Sequence, residues 1–243
     1  MIRLILIALF LMLFFLIGIP ILLLSSITQK KHPYETDLFL LRTVQRAFRT
    51  ILFISGTRLT VIGEENVPTN EAVLYVCNHR SFFDTVITYS RCPGLTGYVA
   101  KDSIEHVPFL SAWMKRLHCL FLSREDVKEA LKTILAGIDQ IKRGISVCIF
   151  PEGTRGRGVD ELDMPPFKEG SLKMAEKTGC PIVPMAITGT ADIFENHFPW
   201  IRPARVTLRY GKPIYPKELS KEDKKRLGNY TQKIILELLS QSK

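Results

Sequence analysis

The segment Asn78-His79-Arg80-Ser81-Phe82-Phe83-Asp84 places an imidazole and a carboxylate five residues apart, and Phe150-Pro151-Glu152-Gly153-Thr154-Arg155 adds a second acid and a guanidinium. A histidine steered by a carboxylate can take a proton from a hydroxyl. An arginine matches a phosphate with two parallel hydrogen bonds. Together these groups suit acyl transfer to a phosphorylated alcohol.

Such a pair works only where folding brings its members together. Five residues along one helix turn through about 500°, which would point His79 and Asp84 apart. Ser81-Phe82-Phe83-Asp84 instead fits the Ser-x-x-Asp/Glu capping pattern. Ser81 is then the cap, Asp84 the third helical residue and His79 part of the turn leading in. Asp84 can lean back over the helix start, fix the tautomer of His79 and leave the other ring nitrogen free to accept a proton. An isolated His-x4-Asp occurs often by chance, and there the acid merely caps the helix. The second segment favours the chemical reading.

The elements around these segments alternate. Ala72 to Cys77, Gly97 to Ala100, Leu117 to Leu122, Ile145 to Phe150 and Ile182 to Ile187 read as short buried strands, and Arg205 to Tyr210 as a strand with one solvated face. Val127, Leu131, Ile134, Leu135, Ile138 and Ile141 form one stripe of a helix with Glu125 and Asp126 at its start and Lys142, Arg143 and Gly144 at its end. Gly170 to Thr178 looks helical, and a last helix starts at Ser220, capped with Asp223, and runs through Leu238. Gly153 to Gly158 reads as a glycine-rich loop in which Arg157 is placed to close over a substrate. Strands separated by helices predict an α/β fold, a layered sheet with flanking helices.

Leu4 to Leu24 carries no charge, and its 21 residues reach roughly 30 Å as a helix, the thickness of a bilayer's hydrocarbon core. The run exceeds the apolar part of a signal peptide, and Ser25-Ser26-Ile27-Thr28 makes a poor cleavage site, so an uncleaved N-terminal transmembrane or interfacial helical anchor is expected. Lys30, Lys31, Arg42, Arg46 and Arg49 follow it, which puts the remainder on the cytoplasmic face of the inner membrane. Residues 37–54 read either as a basic amphipathic helix in the headgroup layer or as a core-packing helix. The expected division is a membrane-anchoring helical segment over 1–56 and an α/β domain over 57–243.

The net charge of +9 and pI near 9.4 fit an anionic surface or substrate. With no aromatic-interleaved basic motif, helix-turn-helix pattern or zinc-finger spacing, nucleic acid is not an expected partner. Cys77, Cys92, Cys119, Cys148 and Cys180 show no metal or redox spacing; Cys77, Cys119 and Cys148 lie in apolar runs as small buried hydrophobes. No three-ligand metal spacing exists, so a metal-independent reaction with no cofactor is expected. His106, His118 and His197 read as structural histidines.

The segments Asn78-His79-x-Ser81-x-x-Asp84 and Phe150-Pro151-Glu152-Gly153-Thr154-Arg155, with Ile182-Val183-Pro184-Met185 further on, resemble the lysophospholipid acyltransferase family, in particular its bacterial 1-acyl-glycerol-3-phosphate acyltransferase branch. The resemblance covers roughly residues 60 to 215. It implies that His79 deprotonates the acceptor hydroxyl, with Asp84 orienting it, and that the hydroxyl attacks the thioester of acyl-CoA or acyl-carrier protein as co-substrate, without an acyl-enzyme. It implies further that Glu152, Gly153, Thr154 and Arg155 position a lysophospholipid acceptor and that Arg124 contacts its phosphate. Lys101, at a strand end, is a lesser phosphate candidate. The segment His118-Cys119-Leu120-Phe121-Leu122-Ser123-Arg124 departs from the family pattern at His118, where a glycine is usual, and at Ser123. This leaves two acceptors open: 1-acyl-glycerol-3-phosphate, giving phosphatidic acid in phospholipid biosynthesis, or another lysophospholipid or amino-acid lipid. From a different class stands a non-catalytic protein that holds anionic membrane lipid. A hydrolase is disfavoured, since no Gly-x-Ser-x-Gly nucleophile elbow is present.

Overall fold

Leu74, Tyr75, Val76 and Cys77 are all buried, and because successive strand residues face opposite ways they enter two different cores. That double burial sets the architecture. The computed structural model, which describes residues 1–156 and 160–241, is a seven-stranded sheet with helices on both faces. The chain runs α1 (Ile2–Thr28), α2 (Pro33–Ser55), β1 (Arg58–Ile62), β2 (Leu74–Cys77), α3 (Phe82–Arg91), β3 (Thr96–Lys101), α4 (Leu110–Arg116) and β4 (Leu120–Leu122). It continues through α5 (Val127–Lys142), β5 (Ser146–Ile149), α6 (Lys173–Thr178), β6 (Ile182–Thr188), β7 (Arg205–Tyr210), α7 (Lys221–Lys225) and α8 (Leu227–Ser240). The sheet order is β1-β7-β6-β2-β5-β3-β4, parallel at every pairing except β6 with β7. Tyr75, Cys77 and Cys148 pack with α2 and α3, whereas Leu74, Val76 and Val147 pack with residues of α5, α6 and α8.

This is the layered α/β fold expected; β2, β5 and β6 were legible as unbroken apolar runs buried on both faces, and β7 as a strand that alternates between buried and more exposed residues. β1 was not among the expected elements. It is an edge strand whose residues alternate between exposed and half-buried, with Arg58 and Thr60 among its five residues. The expected single last helix is corrected to two. Ser220 does cap α7, accepting from the backbone of Asp223 at 3.1 Å, but the helix breaks at Arg226. There the carboxylate of Glu169 accepts the backbone N–H groups of Gly228 at 2.9 Å and Asn229 at 3.3 Å, capping a new helix start. The stripe on α5 is also only half used. Ile134, Ile138 and Ile141 reach the core, whereas Val127, Leu131 and Leu135 stay exposed.

α2 proves to be core-packing on one side: Leu40, Leu41, Val44, Ile51 and Leu52 are buried in the same cluster as the sheet, whereas Phe39 and Phe53 are exposed. α1 spans 27 residues with a mean hydropathy of 3.1 over its most apolar stretch, long and apolar enough to cross a membrane, and it leaves most of its surface uncovered. It is nevertheless held against the domain along its length. Ser26 and Gln29 at its C-terminal end accept hydrogen bonds from Arg116, and Phe14 packs at a tilt against Trp113 with ring centroids 5.2 Å apart. At its other end Ile2, Arg3 and Leu6 share a groove with Phe53, Ile54 and Ile201.

Candidate active site

Parallel strands direct the loops at their carboxyl ends to one edge of the sheet, and the two chemical segments leave β2 and β5, which are neighbours. Asn78 extends the ladder one step past β2 with its side chain. Its Nδ2 donates to the carbonyl of Ile187 at 2.9 Å, and its Oδ1 accepts the Ile187 N–H at 2.8 Å. This pins the chain to β6 immediately before His79.

Ser81 then caps α3, its Oγ accepting from Phe83 N at 3.0 Å, and Asp84 reaches back to Ser81 N at 2.7 Å, the reciprocal cap expected from the spacing. The same oxygen, Oδ2, accepts from Arg80 N at 2.6 Å and lies 2.8 Å from His79 Nδ1. Oδ1 accepts from Thr190 Oγ1 at 2.6 Å. Asp84 is fully buried, so these donors replace the water that a carboxylate otherwise requires. With Nδ1–H donating to Asp84, Nε2 of His79 carries the lone pair. The ring stacks on Phe150 with centroids 4.2 Å apart, and its side chain is 20% exposed, so one edge faces outward.

Glu152 meets the same histidine from the backbone side. Its Oε1 accepts His79 N–H at 2.6 Å, and Gly156 N–H donates to the His79 carbonyl at 2.8 Å, which stitches the β2 and β5 loops together. Burial pushes the Glu152 carboxyl up to about 7, with Asp84 adding to the rise and the His79 N–H and Arg80 opposing it. Its Oε2 is buried and has no hydrogen-bond partner among the described residues. Gly153 turns at φ +73°, a left-handed conformation that a side chain would strain, and Thr154 beyond it is exposed.

Arg155 lies with its guanidinium 3.8 Å above the Phe82 ring and 3.3 Å from Glu195 Oε1, which also accepts Phe82 N–H at 2.9 Å. The structure thus gathers His79, Asp84 and Glu152 into one contact cluster and places Arg155 over the first residue of α3. Lys101 stands at the end of β3 and Arg124 just past the end of its partner β4, both exposed, and among the described residues neither side chain is in a hydrogen bond or ion pair. Arg157 lies outside the described residues. Thr190, Glu195 and the stacking role of Phe150 were not anticipated. Thr190 and Glu195 follow β6 more than a hundred positions after His79, and the one signal for them was a place beyond a strand's carboxyl end. His118 is a structural histidine whose partner is distant in sequence. Its Nε2 lies 2.7 Å from Asp37 Oδ2 on α2, and its backbone sits at φ +58°, the region that favours glycine. Among the described residues no His, Cys, Asp or Glu group of three is placed to hold a metal.

A layered α/β protein with a carboxylate-supported imidazole at the mouth of its parallel strands is the class that this fold and cluster define. The family model for Acyltransferase matches residues 58–188, and the chain belongs to that family. It is 28% identical over 193 residues to a 1-acyl-sn-glycerol-3-phosphate acyltransferase of Saccharomyces cerevisiae, covering 79% of this chain and 62% of that one. It is 34% identical over 146 residues to a protein of the same name from Borreliella burgdorferi, covering 59% of this chain and 56% of that one. The match thus spans less than two thirds of the length of either relative. The crystal structure of the 1-acyl-sn-glycerophosphate acyltransferase PlsC from Thermotoga maritima aligns with a TM-score of 0.80 at 21% identity, covering 98% of this chain and 96% of that one, and shares its fold.

Proposed function

We propose that this chain transfers an acyl group from an acyl thioester, acyl-CoA or acyl-carrier protein, to the free hydroxyl of 1-acyl-glycerol-3-phosphate, forming phosphatidic acid. The observation that carries the reading is the buried Asp84 carboxylate 2.8 Å from Nδ1 of a His79 side chain that stays partly exposed, which leaves Nε2 as the ring nitrogen not held by Asp84. Nε2 accepts the hydroxyl proton as the oxygen attacks the thioester carbonyl, and the tetrahedral intermediate then collapses. The carbon–sulfur bond breaks and the leaving thiolate takes the proton back from the imidazolium. Lipid adhesion alone needs no such pair, which is why the non-catalytic reading fits less well.

In this reading Glu152 supports the His79 loop through Oε1 and so helps to position the acceptor. Gly153, Thr154 and Arg155 line the acceptor's approach, and Arg155, Arg124 and the weaker candidate Lys101 answer its phosphate. Residues 1–56 form the membrane-facing part and 57–243 the acyltransferase part, with α2 shared between them through its buried side. The protein is membrane-associated through the uncovered face of α1. The basic residues that follow α1 suit the anionic surface of a cytoplasmic leaflet, which supports the cytoplasmic face of the inner membrane as its location. The relatives' names support the acceptor, whereas His118 at the usual glycine position keeps another lysophospholipid as the second reading.

The test is a panel of lysophospholipids offered with acyl-CoA and with acyl-carrier protein thioesters. Preferred conversion of 1-acyl-glycerol-3-phosphate supports the proposal. Faster acylation of another lyso-acceptor moves the assignment to that lipid, and lipid binding without transfer from any donor supports the non-catalytic alternative.

A further inference from the structure

The loop after β6 holds Glu195 against Arg155 at one end and reaches the start of α1 at the other, and between them it presents aromatic side chains to the outside. Ile193 and Ile201 anchor it in the core. Arg202 N–H donates to the Ile193 carbonyl at 2.9 Å, Asn196 N–H to Ala191 at 2.9 Å and Trp200 N–H to His197 at 2.7 Å, so its backbone is internally braced. Phe198 packs edge-on against Phe194 yet is 73% exposed, and Trp200 is 41% exposed. A braced loop that leaves a phenylalanine and a tryptophan uncovered has not used them for folding.

What covers them follows from their neighbours. Ile201, next to Trp200 in sequence, lines a shallow groove with Ile2, Leu6, Phe53 and Ile54, so the loop that carries the aromatics runs up to the apolar start of α1 and the 85% exposed Phe53. Arg3 in that groove and Arg202 in the loop are exposed, and among the described residues neither is in an ion pair. Tryptophan beside apolar residues and unpaired arginines is the composition that settles at the boundary between acyl chains and anionic headgroups.

We propose that residues 193–203 form a second bilayer contact, in register with the N-terminal end of α1, that seats Phe198 and Trp200 at the headgroup boundary of an anionic membrane with Arg3 and Arg202 on lipid phosphates. The contact fixes the level of Glu195, and hence of Arg155, relative to the lipid surface. That consequence rests on the substrate role proposed for Arg155; the membrane contact does not.

Trp113 and Trp200 are the only tryptophans, and Trp113 is buried. The full chain carrying Trp113→Phe, reconstituted in phosphatidylglycerol–phosphatidylcholine vesicles, therefore reports Trp200 alone. Lipids brominated along the upper acyl chain should quench its fluorescence by about half, whereas aqueous iodide should quench it far less than it quenches free tryptophan. Should Trp113→Phe not fold, the difference between the wild type and Trp200→Phe gives the same signal. Phe198→Ser with Arg202→Glu should reduce the lipid quenching roughly twofold or more. Free access of iodide with no lipid quenching would overturn the proposal. So would shielding from iodide without lipid quenching, which would mean that protein covers the face.

Discussion

Burial keeps the Glu152 carboxyl protonated up to about 7, well above its ordinary range. The folded state therefore binds a proton between roughly pH 4.5 and pH 7 that the unfolded chain has already released. Stability contributed by the neutral carboxyl is fully present below the unfolded value and is lost as pH rises through the folded one, by an amount on the order of 3 kcal/mol. Glu152→Gln, neutral at every pH, should flatten that decline, and unfolding curves of both proteins at pH 5 and pH 8 check it. Parallel curves would remove the buried-acid account. Thr190 supplies the bond to Oδ1 of Asp84, the oxygen that His79 does not meet, so Thr190→Val should cost about 1–3 kcal/mol of stability and slow turnover with little change in KM. Arg155→Ala should act in the opposite way, raising the acceptor KM roughly tenfold or more with a smaller effect on kcat. Identical constants would take Arg155 out of the acceptor site.

Among the elements, β3 and β4 depend on a close backbone approach at Gly97. A methyl group there would lie 2.0 Å from the His118 carbonyl oxygen and 2.4 Å from Gln140 Nε2. Gly97→Ala should therefore destabilise the fold by about 1–3 kcal/mol or more, measurable by thermal unfolding, because the nearest obstacle is backbone and cannot turn aside. Elements such as these were read from the sequence to different depths, for physical reasons. β2, β5 and β6 are apolar on both faces and announce themselves, as does the α3 cap, because Ser81 and Asp84 signal it within four residues. β1 is an edge strand with half the pattern. The break before α8 depends on Glu169, far away in the chain, and no local propensity reports a cap delivered from elsewhere. The active site divides in the same way. His79 and Asp84 are local, and Glu152 arrives by a recognisable segment, whereas Thr190, Glu195 and the Asp37 partner of His118 come from loops and helices that only folding brings near.

For the chain as one folded body, the α2 residues Leu40, Leu41, Val44, Ile51 and Leu52 belong to the core that Tyr75 and Cys77 also enter. Removing residues 1–56 would uncover that side of the sheet, and the remaining chain should be insoluble or lack a cooperative thermal transition. A soluble truncated domain that melts cooperatively would show instead that the two parts fold independently. The membrane-facing surface and the acyl-transfer chemistry are therefore expected to stand or fall together in one body, with His79 at its mouth. The most direct test is the rate at which purified His79→Ala protein makes phosphatidic acid from 1-acyl-glycerol-3-phosphate and an acyl thioester, beside wild type folded to the same extent. Loss of the general base should lower turnover by about a hundredfold or more. A His79→Ala protein that turns over at the wild-type rate would contradict the account.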